Sequence, residues 1–350
     1  MLYLEAKLES GFIWKPYKHK LGGKEKSKMT TNPETIYLLG AGFTKAFFPA
    51  APLNKDLLEA IIGNGGNKIA EYRDKYQTDD IEQLLTQLDL NAISNKQLRK
   101  DRTTIEGEIS TFFTKFRFSE FEDSIPEWFK NFAHKTLKEN DAIVSLNYDC
   151  FLEGALDNLG EWSPNEGYAR VRTFPTNSIP DNIKHIKIYK IHGSENFVES
   201  SVIGNNSSQT AIGFNINEAI YPRSGANSHL GGGAKDPRPY IIAPSFVKIP
   251  HVDIAAMMLE LLDISQTAKN LIIVGCGMRP EDSFLWLLLT RFLNKILEKR
   301  KRFIILSPSA DEIWRRVSKY WVGDICNCSD VTIIPCGLEH GVKTVGDSLR

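Results

Sequence analysis

The chain has 350 residues, of which 42% are hydrophobic, 25% charged and 10% aromatic, a composition typical of a soluble globular protein. Its 43 basic and 43 acidic side chains balance, so the total charge does not indicate binding to nucleic acid or to an anionic membrane. No apolar run approaches the ~18–20 residues that span a bilayer. Because Glu5, Lys7 and Glu9 also interrupt any signal-peptide core, we expect a cytoplasmic protein without a membrane partner.

Residues 1–34 are polar and rich in lysine towards their end, and we interpret them as an N-terminal extension. Seven apolar runs rich in β-branched or aromatic residues follow, and most are continuous, as in strands covered on both faces of a parallel sheet. The predicted strands are Ile36–Leu39, Ala142–Leu146, His185–Ile191, Tyr240–Ala243, Leu271–Val274, Phe303–Leu306 and Val331–Ile334. Because segments with helical spacing separate several of them, we predict an α/β fold with a doubly wound, Rossmann-like parallel sheet over residues 35–350.

Two long segments interrupt this alternation of strands and helices. Apolar residues recur at helical spacing between about 53 and 138, for example at Ile81, Leu84 and Leu88, so we predict a helical subdomain inserted there. The segment of about 200–238 is rich in Gly, Asn and Ser, and we predict a flexible loop or lid.

The cysteines do not indicate a disulfide framework or a metal site. There are five of them, an odd number in a chain that we expect in the cytoplasm. No pair of CxxC motifs is present, so no metal is predicted. The five are Cys150, Cys276, Cys326, Cys328 and Cys336.

The first predicted strand runs into Gly40-Ala41-Gly42, called here the first glycine turn, and then into a helix. Glycines let the backbone turn sharply and approach a pyrophosphate, while amides at a helix N-terminus attract its charge. Lys45 occupies the place of the third glycine in the dinucleotide fingerprint, so an ordinary strand–turn–helix connection stays open. The run Leu271–Val274 enters a second glycine turn, Gly275-Cys276-Gly277, in the same way.

Polar residues follow two other predicted strands. Asn147 and Asp149 come at the carboxyl end of Ala142–Leu146, where ligands bind in open α/β sheets, although an Asx turn or a helix N-cap is the alternative. His192 follows the next strand beside Gly193, and a purely structural histidine is the alternative there.

Taken in order, four motifs resemble those of the sirtuin superfamily. They are GAGFTKA (40–46), SLNYD (145–149), IHGS (191–194) and IIVGCGMRPED (272–282). The wording is most similar to the zinc-less sirtuin-like domains of bacterial anti-phage defence, and the resemblance covers about residues 35–340. It implies a sirtuin-type fold that binds NAD as a substrate.

The resemblance also implies a role for each matching residue. His192 is the expected general base, Asn147 the contact to the nicotinamide ribose or the attacking water, and Asp149 the contact to the carboxamide or the residue that orients the loop. The expected NAD-binding residues are Gly40, Ala41, Gly42, Phe43, Thr44, Gly193, Gly275, Cys276, Gly277 and Ser307.

The departures from the zinc-containing deacetylases favour hydrolysis. Their four-cysteine module is missing here, so water becomes the expected acceptor and the chain is predicted to be an NAD hydrolase that depletes NAD in abortive infection. A protein deacylase, an ADP-ribosyltransferase or a non-catalytic NAD- or ADP-ribose-binding subunit are the alternatives. The resemblance further implies a homo-oligomer. Because no sensor domain is recognisable in the sequence, we also expect a separate partner protein, such as an ATPase or a nuclease.

Overall fold

A six-stranded parallel sheet forms the centre of the fold. The computed structural model of the protein describes residues 33–163, 168–169, 171–174, 184, 186–204, 207–215, 234–293, 301–320 and 329–349. The strands of the sheet are β1 (Thr35–Leu39), β2 (Ala142–Ser145), β4 (Lys187–Lys190), β8 (Asn270–Val274), β9 (Lys301–Leu306) and β10 (Ser329–Ile334). Their order across the sheet is β10-β9-β8-β1-β2-β4. Every residue of β1, β2 and β8 is buried, as expected where helices cover both faces. The predicted doubly wound α/β fold is therefore confirmed.

The strand order reverses at β1. The chain adds β2 and β4 on one side of β1 and then crosses to add β8, β9 and β10 on the other. Such a reversal leaves a crevice outside the carboxyl ends of the two central strands, where open α/β sheets bind their ligands. Both glycine turns lie there, because the first turn follows β1 and the second follows β8.

Helices connect these strands and fill the long segment after β1. Those that pack around the sheet include α1 (Ala41–Lys45), α6 (Glu127–Asn131), α7 (Phe151–Asn158), α8 (Val252–Thr267), α9 (Ser283–Leu293), α10 (Ala310–Tyr320) and α11 (Leu338–Ser348). The four helices that follow α1 are α2 (Asn54–Gly63), α3 (Asn67–Tyr76), α4 (Ile81–Ala92) and α5 (Lys96–Phe113). Short 3-10 turns (Thr114–Phe116, Phe118–Glu120) and a π-helical turn (Phe132–Thr136) complete the segment.

The helices α2 to α5 supply most of a second hydrophobic core, which residues from other parts of the chain complete. Leu58, Ile69, Leu84 and Ile105 are almost completely buried in it, one from each helix. The side chains of Asp80 and Asn95 cap α4 and α5 by accepting hydrogen bonds from the first backbone amides of each helix. The segment for which helices were predicted, about 53–138, is thus helical, and residues Asn32–Arg350 form one compact unit.

A second, four-stranded sheet differs from what the sequence predicted. Its order is β3-β6-β5-β7, formed by β3 (Arg172–Phe174), β5 (Gly193–Gly204), β6 (Ser207–Asn215) and β7 (Ala234–Ile241). The run Tyr240–Ala243 was expected in the parallel sheet, but residues 240 and 241 end β7, which pairs antiparallel with β5. The flexible loop expected at about 200–238 is strand wherever it is described, since backbone pairing holds a polar hairpin that has little apolar patterning.

Several sequence expectations fall on other parts of the chain. Residues 1–32 of the N-terminal extension, residues 205–206 and 216–233 of the expected loop, and Cys326 and Cys328 lie outside the described residues. Among the residues that are described, none of the helices combines the length and apolar character that a membrane span needs.

Candidate functional site

The two glycine turns pack directly against each other at the reversal of strand order. The Gly40 amide donates a hydrogen bond to the Val274 carbonyl (3.0 Å), and the Gly42 amide donates one to the Gly275 carbonyl (2.9 Å). A Cβ atom on Gly40 would lie 2.6 Å from the Cys276 Cα. Gly275 has a φ of +58°, and a Cβ atom there would lie 2.6 Å from the Phe43 nitrogen. Glycine is needed at these positions because the two backbones touch.

This contact narrows the role expected for the first glycine turn. The backbone amides of Gly40 and Gly42 donate their hydrogen bonds to carbonyl groups of the protein, so these amides are not available to a ligand. The two glycines instead bring the carboxyl ends of β1 and β8 together and keep the space above them clear of side chains. Lys45, in the place of the third glycine, donates from Nζ to the carbonyls of Pro49 (3.0 Å) and Ala51 (2.8 Å) and ties down the loop before α2.

A cavity of about 720 Å³ opens above the glycine turns. Its volume lies in the ~300–1,000 Å³ range of small-molecule and cofactor sites. The predicted residues that line it are Gly40, Ala41, Gly42, Thr44, Asn147, Asp149, His192, Gly275, Cys276, Gly277 and Ser307. The ends of five strands, β1, β2, β4, β8 and β9, therefore bring these residues to a single site.

Phe43 and Gly193 are the two predicted binding residues that are not among the described residues lining the cavity. The Phe43 ring is buried in the core, with its centroid 5.3 Å from that of Phe47 and 6.1 Å from that of Phe129. Gly193 has a φ of +74°, and a Cβ atom there would lie 2.5 Å from the Tyr240 carbonyl oxygen. It is required for the approach of β5 to β7, and its glycine character has a structural explanation.

A chain of hydrogen bonds joins Asn147 to Asp149. The Asn147 Nδ2 atom donates to the Gly40 carbonyl (3.1 Å) and to the Thr44 Oγ1 atom (3.0 Å). Thr44 in turn donates from Oγ1 to Asp149 Oδ2 (2.8 Å). Asn147 thus uses its amide nitrogen to hold the first glycine turn, which leaves its Oδ1 atom as the group that can face a ligand. Asp149 is aligned through Thr44 rather than directly.

Burial dominates the electrostatics of Asp149. It raises the pKa of this carboxyl to about 6, against the opposing effects of Lys190 and of the hydrogen bond from Thr44. Lys190 is itself fully buried, donates from Nζ to the Asp149 carbonyl and lies 3.2 Å from Glu153 Oε1. The site therefore holds a carboxyl group that changes charge just below neutral pH.

His192 lies beside two charged residues that the sequence analysis did not select. Its Nε2 atom is 3.3 Å from Asp282 Oδ1, and the Lys248 ammonium contacts the same oxygen. Burial by itself raises the pKa of Asp282, but His192 and Lys248 hold it well below its usual range, so this carboxyl is ionised. Asp282 is the last residue of the fourth motif, in which only the second glycine turn was predicted to bind the ligand. Lys248 lies in no motif.

The opposite part of the cavity contains less charge. Ser307 follows β9, donates its backbone amide to the Ile334 carbonyl (3.2 Å) and lines the cavity beside the second glycine turn. Burial raises the pKa of the Cys276 thiol to about 12, which keeps it neutral, so we assign it no nucleophilic role. Arg316 donates to the Gly277 carbonyl and also lines this part.

Comparison with known proteins gives one family and several similar structures. A family model described as a SIR2-like domain matches residues 141–322, which include Asn147, Asp149, His192, the second glycine turn and Asp282. The crystal structure of a Sir2 homologue–NAD complex has a TM-score of 0.43 at 12% identity, over 90% of this chain and 89% of that chain. A mutant Sir2 homologue bound to ADP-ribose has a TM-score of 0.44 at 12% identity, over 90% and 91%. No curated protein matches the chain.

Proposed function

Because this chain belongs to the SIR2-like domain family, we propose that it binds NAD in the cavity above the glycine turns and hydrolyses the bond between nicotinamide and ribose. The observation that carries this proposal is the order of the lining residues along one edge of the sheet. Ser307 follows β9, Gly275 follows β8, Gly40 follows β1, Asn147 follows β2 and His192 follows β4.

This order suits an elongated ligand with chemically different ends. Five adjacent strands, β9-β8-β1-β2-β4, span about 19 Å at the usual spacing of ~4.8 Å between strands. A dinucleotide placed along that edge would have its adenosine beside Ser307 and the second glycine turn, its pyrophosphate at the first glycine turn, and its nicotinamide ribose between Asp149 and His192.

The residues at the His192 side supply what this reaction requires. When the ribose–nicotinamide bond breaks, its electron pair neutralises the pyridinium ring, so nicotinamide leaves as a neutral molecule and the ribose becomes electron-deficient. The oxygen of a water molecule bonds to that ribose carbon, and the water gives one proton to His192 and on to solvent, with ADP-ribose as the second product. The Asp149 carboxylate stabilises the positive charge that develops on the ribose.

Hydrolysis is proposed rather than transfer because of the cysteine content. Five cysteines without paired CxxC motifs do not supply the four-cysteine zinc module of the deacetylases, to which the peptide-binding groove is linked. Water is then the acceptor that needs no further binding surface. The resemblance to anti-phage domains supports a further proposal: that the reaction depletes NAD during infection, under the control of self-assembly or of a separate ATPase or nuclease.

The test is to incubate the purified full chain with NAD and follow nicotinamide and ADP-ribose by chromatography. We expect both products in equal amounts without any added acceptor. Nicotinamide release only in the presence of an acylated peptide would identify a deacylase, and label from NAD on protein would identify a transferase. NAD binding without release, even after addition of candidate partner proteins, would leave a binding subunit and overturn the hydrolase proposal.

A further inference from the structure

One carboxylate oxygen contacts both a histidine and a lysine at the His192 side of the cavity. Asp282 Oδ1 lies 3.3 Å from His192 Nε2 and also contacts the Lys248 ammonium. The three residues come from different segments: His192 follows β4, Lys248 follows β7 and Asp282 precedes α9. Their side chains are only 12%, 22% and 16% exposed, so solvent screens the interaction weakly.

We propose that Asp282 is the positioning residue for His192, that it fixes the imidazole proton on Nε2 and leaves Nδ1 as the basic atom, and that Lys248 balances the charge of Asp282. This inference rests on the proposed function only for the identity of the reaction. The arrangement of the three side chains is independent of it.

The contact with the carboxylate selects the tautomer. A neutral imidazole carries its proton on one nitrogen and a lone pair on the other, and an ionised carboxylate accepts a hydrogen bond only from the protonated nitrogen. Asp282 is the ionised member, so Nε2 of His192 must be the donor and Nδ1 the acceptor of a substrate proton. A base oriented by a carboxylate in this way is a common arrangement in enzymes that activate a hydroxyl or a water.

Lys248 has a separate effect, because it reduces the negative charge that His192 experiences. A carboxylate alone beside an imidazole favours the imidazolium form, which has no lone pair and cannot act as a base. The ammonium group on the same oxygen opposes this effect. His192 is thereby oriented by a carboxylate whose charge is largely balanced, which a carboxylate without the lysine would not achieve.

Among the described residues, the other groups near His192 contribute little net charge at the imidazole. The Tyr148 ring lies 6.4 Å away between centroids, and burial raises the pKa of its hydroxyl, which stays neutral and donates to the Ile242 carbonyl (2.7 Å). The nearby wall of the cavity carries Arg279 and Glu82, which pair with each other at 3.0 Å. The His192 carbonyl accepts a hydrogen bond from the Ile242 amide (2.7 Å), which fixes its backbone.

The test uses variants whose effects on His192 have opposite signs. In Lys248→Gln the carboxylate charge is no longer balanced, so we expect the measured pKa of His192 to lie above that of the wild-type chain. In Asp282→Asn the anion is lost while the lysine remains, so the pKa falls and the Nε2–H tautomer is no longer favoured. A purely structural role for either residue would reduce activity in both variants without opposite shifts.

The measurement is nuclear magnetic resonance of the full chain with 15N-labelled histidine, titrated between pH 5 and 9. The His192 signal is assigned by its loss in His192→Ala, and the 15N shifts report the tautomer directly. Lys248→Arg keeps the cation and should restore the wild-type pKa. Lys184→Gln is the matched control, since Lys184 is also 22% exposed and ion-paired, but with Glu161 outside the cavity.

Two results would overturn the inference: a wild-type His192 with its proton on Nδ1, or a pKa that Lys248→Gln leaves unchanged. If Asp282→Asn does not fold, the comparison of Lys248→Gln with Lys248→Arg still decides it. The titration needs no turnover, so a chain that shows these shifts but releases no nicotinamide would contradict the proposed function and leave the positioning role intact. Where release occurs, the fall in its rate at low pH should reflect protonation of His192, and this acid limb should move with the pKa of His192.

Discussion

The two ends of the cavity are built by different physical means. At the glycine end (Gly40, Gly42 and Gly275), two backbone turns touch, and the shape depends on missing side chains. At the histidine end (His192, Lys248 and Asp282), the histidine and the lysine both contact one carboxylate oxygen of Asp282. On the proposed function, close packing of the backbone would determine whether NAD fits, whereas the placed charges would determine whether it reacts. Changes at the first end should therefore act on affinity and stability, and changes at the second on rate.

The largest expected effect separates rate from binding. His192→Ala should lower nicotinamide release by about 10²–10⁴-fold, the usual contribution of a general base, with little change in NAD affinity. The measurements are product formation at saturating NAD and calorimetric titration with NAD. His340→Ala is the matched control, because His340 is an exposed histidine on α11 and does not line the cavity. Equal losses of activity in both variants would show that the assignment of His192 is wrong.

The next prediction concerns the glycine end. Gly275→Ala places a Cβ atom 2.6 Å from the Phe43 nitrogen at a φ of +58°. Overpacking costs about 1–3 kcal/mol and a left-handed non-glycine residue a further ~1–2 kcal/mol. We expect a lower unfolding free energy in a denaturant titration and weaker NAD binding.

A glycine that has free space around it should respond to alanine with the opposite change in unfolding free energy. Gly107 lies within α5, and a Cβ atom there meets nothing within 4 Å. Gly107→Ala should therefore stabilise the fold by about 0.5–1 kcal/mol, since alanine loses less conformational freedom in a helix. If both alanines had the same effect, the contact between the two glycine turns would not be the reason for glycine at position 275.

A pH titration tests to which end of the cavity Asp149 belongs. Hydrogen bonds link Asp149 to Gly40 through Thr44 and Asn147, at the glycine end. Burial raises the pKa of Asp149 to about 6, above its value of 3.8 in an unfolded chain. Nicotinamide release should fall about tenfold by pH 5 as this carboxylate is protonated. The protonated form favours the folded state, so this residue lowers stability as pH rises from about 4 to about 6.

Asp149→Asn tests both parts of that prediction. The substitution should remove the part of the stability change between pH 4 and pH 6 that Asp149 contributes, measured by thermal unfolding beside the wild type, and also lower the rate at neutral pH. A variant that keeps the acid limb of the rate profile at about pH 6 would show that another group causes it. Such an outcome would place Asp149 with the structural residues of the glycine end.

The sequence predicted the glycine end better than the histidine end, and the reason is physical. Buried parallel strands are continuous apolar runs, and a glycine turn at a strand end is a local pattern, so β1, β8 and their turns were found directly. A motif gives adjacency along the chain and not the direction of a side chain. Phe43 was therefore predicted with the binding residues, although its ring points into the core.

The histidine end depends on contacts between distant segments. Lys248 reaches Asp282 across 34 positions of sequence, and neither spacing nor composition marks that pair. The antiparallel pairing of β5 with β6 and β7 was missed for the same reason, since it consists of backbone hydrogen bonds in a polar stretch. Family resemblance supplied His192, but the groups around it became visible only when the chain was folded.

The smallest expected effect tests whether the edge beside β9 belongs to the binding end. Ser307 lines the cavity, and its hydroxyl accepts a hydrogen bond from the Ser309 amide (3.2 Å), which holds it in a fixed position. A single neutral hydrogen bond contributes about 0.5–1.5 kcal/mol, so Ser307→Ala should raise the KM for NAD about two- to tenfold and leave kcat unchanged. Ser348→Ala, at the exposed end of α11, should change neither. A fall in kcat at constant KM would instead mean that Ser307 acts on the reacting ribose, which would reverse the direction in which we place the dinucleotide along the sheet edge.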